Sequence, residues 1–516
     1  MQIQPLFPWG DGPKKIIKSR YFELLSFHSQ ELRMGIRTGK QYLKAIDQAP
    51  REIWIDGEKI TSNYSQHPVF YSIARSIARL YDIQGDPKLI EEMTYLSPLS
   101  GDRVGMSFLP PKTMEDLLKR RKMMNYWTND TFGMLSRPPD FLNSCLMAMA
   151  SAADIFGVKE PRYAQNIKRY YEYIRENDLL LTFSMTNPAI DKSYESRMQP
   201  NPHLITSIVE KNQAGVVIRG SRMIVTLLLA DEIIVFPSTH LKVTQEDAPY
   251  TFAFAIPLST PGIKMICRES FAMTSHYDHP LASRFDEQDA IVVFDDVLVP
   301  WDRVFLLEDI HVANTFREAS GCLAQMCYQA TNKDIAKIEF ILGVIFRIAE
   351  ISGVTIFPHV QESISKAIIT LETMKAFIRA SEADAKVNQW GIMTPDYKPL
   401  YTARILYPKL YPKLREIIQQ LSASSLVSLP GEMTMNSAIR KDIDIYCQGK
   451  NATADERIRL FHLAWDIAGS GFSSRQELYE RFAFGDPMRK ASEFYNTYNK
   501  EICIDKVNEF LFRNNL

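Results

Sequence analysis

The spacing of apolar residues changes twice along the chain and divides it into three parts. From about residue 38 to residue 178 apolar residues recur with a helical period, as in Val69 to Tyr81 and Met114 to Asn129. From about 179 to 303 they fall into short β-rich runs, and after Val304 the helical period returns. The pattern predicts a helical domain, a β domain and a helical bundle, in that order.

We place the domain boundaries where these periods change. The predicted units are an N-terminal extension of residues 1–34, a helical domain of residues 35–178, a β domain of residues 179–303 and a bundle of residues 304–516. A β-hairpin is expected at residues 52–60, inside the helical domain. Its Asp56-Gly57 pair is a strong two-residue turn signal between alternating segments.

The β domain begins inside the stretch Leu179 to Asp191. Its first residues, Leu179 to Phe183, are apolar and suit a buried strand. Asn187-Pro188 then ends regular pairing, because proline has no N–H to donate and restricts the residue before it. A buried strand that stops in this way leaves backbone groups facing a cavity, which suits a flat ligand. An ordinary strand end is the alternative.

Further β-rich runs follow, each bounded by Gly, Pro, Asp or Ser. They lie at residues 215–220, 223–226, 232–236, 251–256, 263–267 and 290–294. Such regular short strands predict a small barrel or sandwich, and we expect a β-barrel. In the last part, apolar stripes at helical spacing mark residues 338–348, 364–378 and 454–468. Long helices of this kind predict a bundle that packs against copies of itself.

Composition and charge narrow the function classes. The chain has 60 basic and 61 acidic residues, a balance that argues against nucleic acid or an anionic membrane as the main partner. No apolar run reaches the ~18 residues that span a bilayer, and the N-terminus has no signal-peptide pattern. The six scattered cysteines fit free thiols in a reducing cytoplasm.

The segment Gly133 to Phe141 carries the first candidate functional residue, Arg137. Asp140 is expected to cap the helix Phe141 to Phe156. Arg137 precedes that helix, where the helix dipole disfavours a cation. An internal acid, or an anionic or phenolic ligand, would account for Arg137. A solvated loop arginine is the alternative.

A second candidate site follows the apolar stripe that ends at Gly469. Ser473 and Gln476 have capping-box spacing, so a new helix is expected to begin there. Small residues, free N–H groups, a helix N-terminus and Arg475 together form an anion site suited to a pyrophosphate. A plain helix–turn–helix with a surface arginine is the alternative.

Common cofactor motifs are missing from the sequence. No GxGxxG follows a strand near the N-terminus, and GxxxxGK[ST], HExxH and GxSxG do not occur. The sequence therefore supports neither a Rossmann nicotinamide site, a P-loop, a zinc site nor a serine triad.

Several motifs together resemble a known family. The order of helical domain, β domain and bundle is similar to that of the acyl-CoA dehydrogenases. The motifs themselves resemble the large oxygenase component of 4-hydroxyphenylacetate 3-monooxygenase, including the pyoverdine chromophore protein group, from about residue 36 to 512. They are Arg37 to Leu43, Gly133 to Phe141, Asn187 to Asp191, Cys267 to Ser270, His279 to Asp286, Phe294 to Trp301 and Gly469 to Glu480.

The resemblance implies a two-component monooxygenase in an α+β, acyl-CoA-dehydrogenase-like fold. A separate NAD(P)H-dependent flavin reductase supplies FADH2, which fits the missing nicotinamide motif. The reduced flavin then reacts with O2 to a C4a-hydroperoxyflavin, which hydroxylates a small phenolic substrate at the ortho position. The family further implies a cytoplasmic homotetramer.

The resemblance also implies roles for individual residues. Arg137 matches the catalytic, substrate-site arginine, beside Phe141 and Phe183. Thr226 matches a threonine at the flavin ring, whose hydroxyl is able to bond flavin N5 or O4. The other implied FAD contacts are Met185, Thr186 and Asn187 along the flavin ring, Ser470, Gly471, Phe472, Ser473 and Arg475 on its phosphate side, and Gln361 across a subunit boundary.

Two positions depart from the family pattern. The hydroxyphenylacetate enzymes have a tyrosine at Phe141 and a histidine at Phe183. The second change removes a group that would bond or deprotonate the phenol, and such a base contributes ~10²–10⁴ in rate. Either the substrate differs, being larger or carrier-bound, or another group serves as base, with Thr182, Ser184 and His203 as candidates. A flavin N-oxygenase, oxidase or dehydrogenase, or a non-catalytic helical scaffold, remain alternatives.

Overall fold

The protein was analysed as a computed structural model. It describes residues 35–513 except 189–190, 192, 195–197, 200, 202, 239–243 and 273–274, so the predicted N-terminal extension lies outside the described residues. The first part is mainly helical, as expected. Its elements are α1 (Gly39–Gln48), β1 (Glu52–Ile55), β2 (Glu58–Ile60), α2 (Pro68–Gln84), α3 (Ile90–Met93), β3 (Thr94–Leu96), β4 (Arg103–Gly105), α4 (Met114–Asp130), α5 (Pro139–Ser151) and α6 (Pro161–Glu176).

The predicted hairpin is present and belongs to the main sheet. Asp56 and Gly57 both have positive φ, 51° and 83°, as a tight two-residue turn requires. Strand β1 pairs antiparallel with β2 on one side and parallel with β10 (Ile263–Cys267) on the other. The N-terminal part therefore contributes strands to the β domain, which the local pattern did not indicate.

Helix α1, at the start of the first part, is stabilised by a capping box between Thr38 and Gln41.

The middle part supplies most of the strands. Helix α6 leads directly into the first of them. They are β5 (Leu181–Ser184), β6 (Ser207–Lys211), β7 (Gly215–Thr226), β8 (Glu232–Val235), β9 (Phe252–Pro257), β10 (Ile263–Cys267), β11 (Asp289–Pro300) and β12 (Val304–Leu307), with the short helix α7 (Ala282–Phe285) before β11.

The strands form two main sheets. One has the order β2-β1-β10-β11-β7-β6 and the other the order β12-β9-β8-β5. Each sheet therefore has two edge strands and does not close on itself. The predicted barrel is wrong for the part of the chain that the structure describes. The predicted runs coincide with β5 and with β7 to β11, whereas β6 and β12 were not predicted. Closure depends on pairing between strands far apart in sequence. Two runs predicted separately, at 215–220 and 223–226, are also one strand that continues through Gly220 at φ +118°.

The last part is helical, as predicted. Helix α9 is its 30-residue central element, and it packs against α5, α10 and α11. The elements are α8 (Ile310–Ala319), α9 (Cys322–Ile351), α10 (Pro358–Ala383), β13 (Lys386–Val387), β14 (Met393–Thr394), α11 (Tyr397–Ser422), α12 (Glu432–Met435), α13 (Arg440–Tyr446), α14 (Ala454–Ala468), α15 (Gly471–Phe482), α16 (Pro487–Thr497) and α17 (Glu501–Phe512). Among the described helices, none has the length and apolar character to cross a membrane.

Candidate functional site

The loop between α4 and α5 holds Arg137 in a fixed backbone position. The amides of Ser136 and Arg137 donate to the two carboxylate oxygens of Glu287, at 2.7 and 3.2 Å. Gly133 begins the loop at φ +65°, and a Cβ there would lie 2.6 Å from the carbonyl oxygen of Lys333 in α9. The loop is therefore pinned to the β domain on one side and to the bundle on the other.

The side chain of Arg137 lies among aromatic rings. Its guanidinium carbon is 4.2 Å from the ring centroid of Phe141, 4.9 Å from that of Phe183 and 5.1 Å from that of Tyr479. A guanidinium group at these distances interacts favourably with the ring faces. We call Arg137, Phe141, Phe183, Tyr479 and Phe484 the arginine box. The box brings together α5, β5 and α15, which come from the three predicted domains.

The aromatic rings of the box also contact one another. Phe141 and Phe183 are stacked, with centroids 6.1 Å apart and an interplanar angle of 28°. Phe484 meets Phe141 edge-on at 6.3 Å, and Phe236 meets Phe183 edge-on at 6.2 Å. The predicted neighbours Arg137, Phe141 and Phe183 are thus in direct contact, and the walls suit a flat ring.

Among the described residues Arg137 has no carboxylate partner, in contrast to Arg37 and Arg303. Arg37 pairs with Asp231 at 2.5 Å and Arg303 pairs with Glu232 at 2.8 Å. Among the described residues, the Arg137 side chain makes one hydrogen bond, to the carbonyl oxygen of Ala483 at 3.3 Å, and no ion pair. The remaining guanidinium donors are available to a ligand in the box.

Strand β5 ends beside this box, three residues before Asn187. Met185 and Asn187 are half-buried, Thr186 is exposed, and a single bridge joins Thr186 to Met223 of β7. The predicted wall is therefore an extended segment whose pairing has almost ended.

Two proposed bases on or near this strand already donate their protons. The hydroxyl of Thr182 donates to the carbonyl oxygen of Thr226, and that of Ser184 donates to the carbonyl oxygen of Met223 at 3.3 Å. The His203 ring lies 3.4 Å from the hydroxyl of Ser207. Each hydroxyl therefore has only lone pairs left for a ligand, so it is able to accept a hydrogen bond but not to donate one. No contact in the described residues joins His203 to the arginine box.

Thr226 and Arg475 meet at Asp289. Thr226 lies opposite Asp289 in the β7–β11 pairing and donates its hydroxyl proton to Oδ1 at 2.8 Å. Arg475 donates two hydrogen bonds to the same carboxylate, at 2.7 and 2.8 Å, and one to the hydroxyl of Ser136 at 2.6 Å. Burial opposes ionisation of Asp289, but the charge of Arg475 outweighs it and holds the Asp289 pKa at about 2. The guanidinium of Arg475 is therefore engaged by protein groups.

Helix α15 begins within the predicted segment but with a different cap. Ser470, not Ser473, is the N-cap, and its hydroxyl accepts the amide of Ser473 at 3.1 Å. The side-chain amide of Gln476 instead donates to the carbonyl oxygen of Met134 at 3.0 Å, and its Oε1 accepts a hydrogen bond from Lys337 Nζ at 2.8 Å. The capping-box spacing was fortuitous, because the Gln476 side chain is bonded to Met134 and Lys337 instead of capping the helix.

The first turn of α15 packs closely. Ser470, Phe472 and Ser473 are buried, and a Cβ on Gly471 would lie 2.6 Å from the ring of Phe271. A helix N-terminus with small residues suits a phosphate. Gln361, by contrast, is exposed at the start of α10, and its amide donates to the carbonyl oxygen of Thr355 at 2.9 Å. Among the residues that the structure describes, no contact joins Gln361 to the other predicted site residues.

A buried charge cluster supports α15 from the bundle side. Lys333 and Lys337 of α9 both donate to Glu480, at 2.7 and 2.5 Å. Burial opposes the charge on Glu480, but the two lysines hold its pKa at about 2, and burial lowers the pKa of Lys337 to about 8. This cluster fixes the helix face that also carries Tyr479.

Asp140 is not the expected N-cap. Helix α5 starts earlier, at Pro139 with Pro138 as its cap, so Asp140 lies inside the first turn. It is fully buried, and the amide of Gln329 donates to its carboxylate at 3.1 Å. Burial raises the pKa of Asp140 to about 7.

A surface cleft lies apart from these residues. It has a volume of about 450 Å³ and is lined by the β1–β2 hairpin and β10, including Trp54 and Ile266. None of the predicted site residues lines it, so we place the candidate site at the arginine box instead.

Comparison with known proteins identifies the family of this chain. The N-terminal model of the 4-hydroxyphenylacetate 3-hydroxylase family matches residues 38–306, and its C-terminal model matches residues 313–511. The chain belongs to this hydroxylase family. The family predicted from the motifs is therefore confirmed.

Individual relatives cover nearly the whole chain. It is 44% identical over 476 residues to the 4-hydroxyphenylacetate 3-monooxygenase oxygenase component of Thermus thermophilus, covering 92% of this chain and 97% of that protein. It is 32% identical over 463 residues to a 4-nitrophenol 2-monooxygenase oxygenase component of Rhodococcus sp, covering 87% and 86%. A crystal structure of a 4-hydroxyphenylacetate 3-monooxygenase oxygenase component, complexed with FAD and 4-hydroxyphenylacetate, has a TM-score of 0.88 at 43% identity and covers 92% and 98%. The predicted enzyme class agrees with these names.

Residues that the sequence analysis missed complete the candidate site. Tyr479 lies four positions after Arg475 on α15, so helical spacing gave a signal for it. Asp289, Glu287 and Phe484 gave no signal, since their roles depend on strand register and on a loop that follows α15.

Proposed function

We propose that this chain is the oxygenase component of a two-component system that hydroxylates a small phenol ortho to its hydroxyl group, with FADH2 and O2. The observation that carries the proposal is the arginine box. Arg137 presents a guanidinium without a carboxylate partner between aromatic walls, which suits a flat ring with an acidic oxygen. A solved relative complexed with FAD and 4-hydroxyphenylacetate supports the same use of the fold.

In this proposal Arg137 binds the phenol oxygen. The cation favours the ionised phenolate, which is the form with more electron density at the ortho carbon. Phe141 and Phe183 hold the ring and exclude water from it. FAD, when bound and reduced, supplies the O2-activating chemistry, so the protein needs few ionisable groups of its own.

The flavin has a matching set of candidate contacts. The extended segment Met185, Thr186 and Asn187 follows β5 along one side of the site, and Thr226 of β7 lies beside Thr182 of the same strand. Both suit the flat ring. The α15 N-terminus suits the phosphates, through Ser470, Gly471, Phe472 and Ser473. Arg475, which Asp289 engages, is assigned a positioning role rather than a phosphate contact.

The proposal includes partners. A separate flavin reductase provides FADH2, in keeping with the missing nicotinamide motifs. A homotetramer is supported by exposed apolar residues on α10 and α17, which include Ile369, Val507, Phe510 and Leu511. Gln361 is exposed near this surface of α10 and is assigned to the FAD of a neighbouring subunit. Light scattering on the purified protein measures the number of subunits.

The deciding experiment combines cofactor binding with turnover. Wild-type protein, supplied with chemically or enzymatically reduced FAD and O2, is expected to convert a phenol to a catechol. Arg137→Ala is expected to raise KM or lower kcat/KM by about 10²-fold, because a charge-assisted bond is lost, while FADH2 affinity stays within about twofold. Arg162→Ala is the matched control, since Arg162 also covers aromatic rings, at 4.1 Å from that of Trp301, but lies outside the box. Absence of catechol, or equal activity in Arg137→Ala, would contradict the proposal.

A further inference from the structure

Asp289 is the meeting point of three other side chains. Its carboxylate accepts hydrogen bonds from Arg475 at 2.7 and 2.8 Å, from Arg268 at 3.2 Å and from the Thr226 hydroxyl at 2.8 Å. Arg268 is held in turn by Asp286. Two guanidinium groups beside one carboxylate keep Asp289 ionised, and an ionised carboxylate only accepts hydrogen bonds.

The Thr226 hydroxyl is therefore polarised in one direction. A threonine hydroxyl has one proton and two lone pairs. Its proton is given to Asp289, so that only lone pairs remain for a further partner. Thr226 is able to accept a hydrogen bond from a ligand but not to donate one while Asp289 stays ionised.

The same network also holds the arginine box. Arg475 donates to the Ser136 hydroxyl at 2.6 Å, and Glu287 accepts the amides of Ser136 and Arg137. Glu287 also lies 3.3 Å from Arg475. The Arg475 guanidinium group is thus linked to Thr226 through Asp289, and to the loop that carries Arg137 through Ser136. Thr226 is the residue proposed to face the flavin.

We propose that Asp289 is a positioning residue that makes Thr226 a pure hydrogen-bond acceptor toward the cofactor, and that it thereby favours reduced over oxidised FAD. This inference rests on the proposed function. Reduced flavin carries an N–H at N5, whereas oxidised flavin has a lone pair there. An acceptor suits the first and opposes the second, so an oxygenase that must take up FADH2 and release FAD gains discrimination from this arrangement.

The test measures the ratio of dissociation constants for oxidised and reduced FAD, under anaerobic conditions for the reduced form. Thr226→Val removes the acceptor. Asp289→Asn lets Thr226 take either role, because an amide both donates and accepts. Each is expected to lower the ratio about tenfold, which corresponds to a fall of ~30 mV in the midpoint potential of the bound flavin.

Matched variants separate this effect from general damage. Thr226→Ser keeps the hydroxyl and is expected to keep the ratio. Asp286→Asn removes a buried carboxylate that also pairs with Arg268 but does not contact Thr226, and it is expected to keep the ratio as well. Asp289→Asn removes the Asp289 charge that pairs with Arg475, and this loss is able to destabilise the protein. In that case the double variant Asp289→Asn/Arg475→Gln, which removes both charges, is measured instead.

The outcomes are distinct. A ratio that falls in Thr226→Val and Asp289→Asn, without further loss when the two changes are combined, supports the proposal. A ratio that falls in Thr226→Val but is unchanged in Asp289→Asn overturns the role of Asp289. Equal loss in Asp286→Asn also overturns it. Failure of the wild-type protein to bind either form of FAD refutes the proposed function itself.

Discussion

The guanidinium carbon of Arg137 lies 4.9 Å from the ring centroid of Phe183, so the cation of the arginine box faces a benzene ring. The motif resemblance places a histidine at this position in the hydroxyphenylacetate enzymes. The box therefore keeps the arginine and the flat walls but lacks the neighbouring proton acceptor. Its substrate preference is expected to depend on this position.

Replacement of both aromatic positions is expected to change the preferred phenol. Phe183→His with Phe141→Tyr should raise kcat/KM for 4-hydroxyphenylacetate by about tenfold or more, because a correctly placed base contributes ~10²–10⁴. The positive charge of Arg137 disfavours protonation of the new imidazole, which keeps it basic at neutral pH. Catechol formation measures the effect. Phe183→Leu/Phe141→Tyr is the control, and the same gain in that variant would exclude a base effect.

Tyr479 is expected to act through its ring rather than its hydroxyl. The ring centroid is 5.1 Å from the Arg137 guanidinium carbon, and the hydroxyl donates to the Ser136 carbonyl oxygen at 2.8 Å. Tyr479→Phe removes one hydrogen bond and should change KM for the phenol by no more than about fivefold. Tyr479→Leu removes the ring face and should raise KM by about tenfold or more. Equal KM values for the two variants would show that the ring is not a wall of the box.

Asp140 is expected to make stability depend on pH. Its pKa is raised by burial to about 7, above the unfolded value of about 3.9, so between these values the folded protein binds more protons than the unfolded chain. The stability that Asp140 contributes is then fully present below about pH 4. It is lost as the pH rises through about 7, and above that pH it no longer changes. Asp140→Asn should remove this slope and stabilise the protein at pH 8 by up to about 4 kcal/mol.

Thermal or urea unfolding at pH 5 and pH 8 measures how the free energy of unfolding changes with pH. Asp154→Asn, at an exposed carboxylate, serves as the control. A wild-type slope that persists in Asp140→Asn would assign it to another group.

Local sequence patterns predicted most of the helices and strands of this fold. The way the strands pair into sheets was decided by contacts between residues that are distant in sequence. The Asp56-Gly57 turn and the helix of Met114 to Asn129 were correct because short-range chemistry specifies them. The barrel was wrong because closure is a matter of strand partners, and nothing near β1 indicates that it lies beside β10.

The same distinction applies to the site. Arg137 was recognised because its place before a helix is locally unfavourable. Arg475 was equally conspicuous, but its partner Asp289 lies 186 positions away, so its engagement by a carboxylate could not be read from neighbouring residues. Asp140 looked like a cap for the same reason, since Gln329 is equally remote in sequence.

The parallel pairing of β1 with β10 has a practical consequence for work on this protein. A fragment that begins at residue 179 would leave the edge of β10 without its neighbour, and an unprotected strand edge is a template for association with other chains. A shortened version of the hydroxylase should therefore retain residues 52–60, however natural a cut before the first buried strand looks.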